Sequence, residues 1–216
     1  MNSTNYFIEY LVAGTLTIFW GFLLFIGFAG IKWLELISLQ NSVIFQGDNL
    51  LALGFLFLPL AYVTGIVIDR FVNQIFELFF RPKALDSIIS SQQLYNKYVT
   101  KIFVSSPELS QNYQSTHMRI RIVRTSTFSS VMTLLSMHIF IWNSGIYNHP
   151  EFLGYQFSTD DFIFWKKDII LLSIMMSVFM IIAAISSYRA WRNLIITEYN
   201  LLRDQVDCLK EINKIL

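Results

Sequence analysis

Charged residues bracket long apolar runs along this chain. Between Glu9 and Lys32 lie 22 uncharged residues, between Asp48 and Asp69 there are 20, between Arg124 and Glu151 there are 26, and between Asp168 and Arg189 there are 20. A helix crossing the roughly 30 Å hydrocarbon core of a bilayer needs about 20 mostly apolar residues at about 1.5 Å each. Each run meets that length with charges at its borders and none inside, so the pattern predicts four membrane-spanning helices. Pro59 is the one helix breaker within the interior of a run. Neighbouring helices in a bundle satisfy the carbonyl it frees, so it predicts a kink rather than an end. The first run is expected to stay in the protein, because no basic stretch precedes it, it exceeds the apolar core of a secretion signal, and no small-x-small cleavage site closes it.

Helical pattern continues beyond the runs. Ser106-Pro107-Glu108 predicts a helix start, with Ser as N-cap, Pro in the first position and an acid in the first turn. No Gly or Pro follows until after Ser144, so one helix should enter the third run from outside it. None occurs from Tyr155 to the C-terminus either, and the second run should extend through DRFVNQIFELFF until Pro82 stops it. Ile195, Tyr199, Leu202, Val206, Leu209, Asn213 and Leu216 alternate in steps of four and three, an a/d seam over three heptads. Two readings stay open: the seam packs on the chain's own loop helices, or it joins subunits with Asn213 fixing register. Ala13, Thr17 and Gly21, with Gly14 beside them, form a small-residue packing face in the first run. The expected fold is an all-α integral membrane protein of four transmembrane helices with helical cytoplasmic extensions. Residues 1–68 hold spans one and two, 69–124 a basic helical region, 125–188 spans three and four, and 189–216 the C-terminal helix.

Composition agrees. Of 216 residues 54% are hydrophobic and 14% charged, where a soluble domain carries about 25% charged residues. The net charge of +1 conceals an asymmetry. Eight Lys and Arg lie between runs two and three and five after run four, against Lys32, Lys166 and Lys167 on the other side. The positive-inside rule places the chain in the cell inner (plasma) membrane with both termini in the cytoplasm, although Glu9 and Lys32 alone argue weakly for the reverse.

Candidate chemistry is sparse. Cys208 is the single cysteine, and no Cys/His metal spacing, nucleophile elbow, zincin motif or phosphate loop occurs, so no metal, cofactor or enzymatic role is expected. Asp160-Asp161 reads as a cation pair or, beside Ser158 and Thr159, as helix capping, and His149-Pro150-Glu151 has no second histidine near it. His138, Thr133, Ser136 and Asn143 fall within run three. Intramembrane polar residues face a bundle interior or an aqueous path, so these four read either as packing groups or as pore-lining ones.

The segment HMRIRIVR, residues 117–124, carries the remaining candidates. His117, Arg121 and Arg124 share a helical stripe, with Arg119 off it and Lys97 and Lys101 on the preceding helical segment. These six read as a membrane anchor or as a site for an anionic ligand, with Asp69 placed to neutralise one arginine. With this basic region, four spans and negligible outer domains, the chain resembles the small four-span effectors of bacterial anti-phage defence. The resemblance implies a cytoplasmic domain that senses a nucleotide or oligonucleotide and a membrane part that opens a pore. The expected function is a homo-oligomeric channel or pore-forming effector in the lipid bilayer. The alternative is a non-conducting scaffold or adaptor that recruits a cytoplasmic protein partner through its C-terminal helix.

Overall fold

The computed structural model describes residues 3–30, 47–143 and 159–215, and among them it is all helix with no strand. Six helices are α1 (Ser3–Ala29), α2 (Gly47–Phe79), α3 (Ala84–Ile88), α4 (Gln92–Ser105), α5 (Pro107–Asn143) and α6 (Thr159–Ile215). Their ends follow local chemistry. Ser106 Oγ accepts from Leu109 N at 3.4 Å to start α5, and Ser91 Oγ accepts from Leu94 N at 3.2 Å to start α4. The turn around Pro82 ends α2, whereas Pro59 leaves it uninterrupted.

Among the described residues, three helices are long and apolar enough to cross a membrane: α1 over Phe7–Ala29, α2 over Gly54–Phe79 and α6 over Ile169–Cys208. The sequence pattern had suggested four. In α5, seven Ser and Thr between Thr125 and Ser136, together with His138, dilute the apolar run. Burial accounts for that composition, since Thr125, Thr127, Ser129, Thr133 and Ser136 all face inward. Three of the hydroxyls bond carbonyls of their own helix, Thr125 to Arg121 O, Thr127 to Val123 O and Ser136 to Met132 O at 2.6–2.9 Å. A hydroxyl satisfied this way can be packed away from water at little cost.

The helices pack in an up-and-down order. Gly14 lies against Ala61 and Gly65 against Tyr10, so α1 and α2 are antiparallel. Arg121 meets Tyr10 near one end of α1, and Gly27 lies on Ile139 and Phe140 near the other, so α1 and α5 are parallel. His117 pairs with Glu198 and His138 with Ser177, making α5 and α6 antiparallel. Contact between α1 and α2 is backbone to backbone: a Cβ on Gly14 would lie 1.6 Å from the Ala61 carbonyl oxygen, and one on Gly65 would lie 1.9 Å from that of Tyr10. Of the expected small-residue face, Ala13 and Gly14 are buried while Gly21 faces open space.

Two apolar clusters fill the bundle. One joins Ala13, Ile68, Val72, Phe76, Ile120 and Trp191. The other joins Leu85 and Ile89 beside α3, Ile102 of α4, Tyr113 of α5, and Tyr199, Leu202 and Val206 of α6, with Ile195 packed against it. In the described part of the heptad seam, Tyr199, Leu202 and Val206 are buried in this cluster of the same chain and Ile195 packs against it. The partner surface is the chain's own α3, α4 and α5. The Leu209 and Asn213 side chains and Leu216 lie outside the described residues.

Candidate functional site

Two polar clusters sit at the end of the bundle that carries α3 and α4. The first is built on Asp69, at the point where the apolar run of α2 gives way to DRFVNQ. Its Oδ1 accepts from Arg124 Nη2 at 2.8 Å and its Oδ2 from Arg121 Nη2 at 2.9 Å. Arg121 Nε also lies 3.3 Å from Glu9 Oε1, its Nη2 donates to Tyr10 OH, and its guanidinium carbon stands 4.7 Å over the Tyr10 ring. Arg124 Nη1 donates to Asn73 Oδ1. The side chains of Glu9, Asp69 and Arg124 are each at most 8% exposed and that of Arg121 12%. Two arginines therefore face two acids out of water, a balanced set whose removal from solvent is tolerable because every charge has a partner. This cluster ties α1, α2 and α5 together.

The second cluster is centred on Glu198 of α6, 2% exposed. Tyr95 OH donates to Glu198 Oε1 at 2.8 Å and lies 2.9 Å from Tyr113 OH, while His117 Nδ1 is 3.2 Å from the same carboxyl oxygen. Tyr113 stacks on His117, and Tyr95 stacks on Tyr199 with centroids 4.9 Å apart. Burial, with the Glu198 carboxyl beside them, pushes the Tyr95 and Tyr113 phenols well above the ordinary tyrosine range. Both rings stay protonated donors. This cluster ties α4, α5 and α6.

Between the clusters lies a cavity of about 430 Å³. Asp69, Asn73 and Phe76 of α2 line it, as do His117, Arg121 and Arg124 of α5, Trp191, Glu198 and Tyr199 of α6, and Tyr95 of α4. A smaller cavity of about 280 Å³ lies between α1 and α5, walled by Ile8, Val12, Leu16 and Ile122 with Glu9 at its side.

The six sequence candidates for anion binding separate. His117, Arg121 and Arg124 face the cavity, already engaged by acids of the same chain. Arg119 and Lys97 are exposed and Lys101 is half-buried on α4, none of them lining the cavity. The sequence reading paired Asp69 with one arginine; it holds two. It missed Glu9, Tyr95, Tyr113, Glu198 and Trp191 as site residues. Glu9 carried one usable signal, being an acid at the border of an apolar run with arginines at the border of another.

Among the intramembrane candidates, Thr133 and Ser136 are buried in the bundle, and Asn143 is exposed at the last turn of α5. His138 Nδ1 lies 2.8 Å from the Leu134 carbonyl, and its Nε2 lies 3.4 Å from Ser177 Oγ, whose proton goes to Ser173 O at 2.6 Å. None of these residues lines either cavity. Residues 149–151 and the side chains of Asp160 and Asp161 lie outside the described residues. No group of His, Cys, Asp and Glu able to hold a metal ion occurs among the described residues. No protein-family model, curated protein or solved structure matches the chain.

Proposed function

We propose that the protein is a four-span effector of the inner membrane, its termini cytoplasmic, which assembles with copies of itself and alters bilayer permeability under control of its α3–α4 end. The observation that carries this reading is continuity. Helices α2, α5 and α6 run without a break from the apolar segments into the walls of the polar cavity. A change in the cavity therefore reaches the membrane segments through rigid helices, the direct form of coupling between two sites.

The fourth span is α5. His138 lies beside Ser177 in the most apolar stretch of α6, and Gly27 of α1 rests on Ile139 and Phe140. A helix seated between two spans at that depth shares the bilayer with them. Its lower apolarity suits a helix covered by protein rather than lipid.

A passage belongs between copies rather than within one chain, because the hydroxyl stripe of α5 is closed off by its neighbours. The membrane segment of α6 supports assembly, with Leu171, Met175, Val178, Ile182 and Ile185 spaced in fours and threes and all exposed. The adaptor alternative loses ground because Tyr199, Leu202 and Val206 are spent on internal packing.

Proteoliposomes with an entrapped dye test the reading. The native chain should hold the dye, and Asp69→Asn, which unties α1, α2 and α5, should release it, with native mass spectrometry giving a discrete oligomer. Vesicles that stay as tight as protein-free ones with both chains, together with a monomeric mass, would sink it.

A further inference from the structure

The smaller cavity, about 280 Å³, is a trench on the outer face of the bundle. Helices α1 and α5 run parallel there, and each supplies a stripe spaced in fours: Ile8, Val12 and Leu16 from one, Met118, Ile122 and Ser126 from the other. Eight residues at about 1.5 Å each make the trench roughly 12 Å long. Ile8, Val12 and Ile122 are 44–52% exposed and Leu16 36%, so its rim opens outward rather than into the bundle. Its α1 wall belongs to the apolar segment Phe7–Ala29, so in the membrane placement proposed above the medium at the opening is hydrocarbon.

The charged groups of the lining are Glu9 and Asp69, both buried and both held by Arg121, with Arg124 on Asp69 as well. Tyr10 accepts from Arg121, and Thr125 donates to the Arg121 carbonyl. The accessible walls are mainly apolar, and an empty apolar trench forfeits dispersion contacts along both of them. A cation stands at the mouth. Arg119 precedes Ile122 by three positions and Ser126 by seven, which places it beside the α5 stripe of the trench, one turn nearer the helix start. Side chains lean toward the start of their helix, so Arg119 leans toward the end where Glu9 borders the apolar segment. Among the three arginines of HMRIRIVR it is the exposed one. It makes no ion pair among the described residues and has no acid within four positions on α5.

Size decides against a partner helix as the occupant. One helical turn, about 10 Å across and 5.4 Å tall, fills roughly 420 Å³, more than the whole trench. An extended hydrocarbon chain is narrow enough to lie along it. The planar guanidinium of Arg119 matches a phosphate at the head of such a chain, and a headgroup with its own cation would set like charges together. We infer that the trench between α1 and α5 holds one anionic phospholipid, an acyl chain lying along Ile8, Val12, Leu16 and Ile122 and the phosphate on Arg119. No hydrophobic force separates this chain from those of the surrounding lipid, so selectivity comes from packing and from the charge pair. The site rests on the membrane placement of α1 and α5 proposed above.

Native mass spectrometry of the full chain in mild detergent, titrated with dioleoyl phosphatidylglycerol, tests the inference. One lipid per chain should be retained. Dioleoyl phosphatidylcholine should bind at least tenfold more weakly, and glycerol 3-phosphate, a headgroup without chains, should neither bind nor compete. Arg119→Gln, at an exposed position, should weaken phosphatidylglycerol at least tenfold. Val12→Trp, which fills the trench from its rim, should do the same with helix content unchanged by circular dichroism. Equal binding of the two lipids, binding of glycerol 3-phosphate, or native-like retention by either variant overturns the inference. So does an oligomer that holds no lipid and falls apart with Val12→Trp, since a second copy then covers the trench. The membrane placement has its own readout. A chain that carbonate washing strips from membranes loses that placement and the site with it, whereas one that stays in the membrane yet retains no phosphatidylglycerol loses the site alone.

Discussion

Asp69 holds two guanidiniums whose side chains are at most 12% exposed. Breaking a buried ion pair by removing one partner costs about 3–5 kcal/mol, because the other charge stays behind. Asp69→Asn should therefore lower stability by about that much in detergent unfolding, and a double-mutant cycle with Arg121→Gln should show strong coupling. Glu198 supports a second expectation. Tyr95 and Tyr113 hold their protons more tightly in the folded chain than in the unfolded one, mainly through burial. Their contribution is fully present below the unfolded tyrosine value of about 10 and is lost as pH rises through it toward the higher folded values. The melting temperature should fall above roughly pH 10, and Tyr95→Phe should flatten that fall. Sequence reading reached part of this scale. The arginines stood out as a cluster, but an acid such as Glu198, 81 positions from His117, becomes its neighbour only through the α5–α6 register.

At the scale of the helix, packing separates positions that look alike in sequence. Gly14 and Gly21 share a segment of small residues, yet only Gly14 touches another backbone. Gly14→Ala should force α1 away from α2 and lower the melting temperature, whereas Gly21→Ala should change stability by less than about 0.5 kcal/mol. Leu202 is fully buried against the α3–α5 cluster. Leu202→Ala should cost about 2–5 kcal/mol without altering the oligomer mass; dissociation with stability preserved would restore the seam to a subunit interface. Helix positions and ends were legible because caps, prolines and apolar length are local signals. The fate of the heptad seam was not, since spacing by fours and threes suits a partner from the same chain as well as one from another. On α5 sequence and structure differ: the uncharged run predicts a fourth span, whereas its hydroxyls, buried against neighbours that no local window contains, leave it less apolar than α1, α2 and α6.

Whole-molecule topology can be checked with the chain's single thiol. Cys208 is exposed on α6, at the end of its long apolar segment Ile169–Cys208. With α5 as a span, Cys208 and a cysteine placed at Ser3 in a Cys208→Ser background lie on the same side. Both should resist a membrane-impermeant maleimide in intact spheroplasts and react after lysis; opposite labelling would reduce the count to three spans. The 57 residues of α6 have a further mechanical meaning. Without Gly or Pro the helix has no hinge, and at about 1.5 Å per residue it is a lever roughly 85 Å long. Its tightest hold is near Trp191, buried on the cavity wall against Phe76 of α2. A tilt of about 5° there swings a point 30 residues away by roughly 4 Å, about three quarters of the rise of one helical turn. A small displacement at the cavity is thus geared up to the scale of a side chain at the far end of α6.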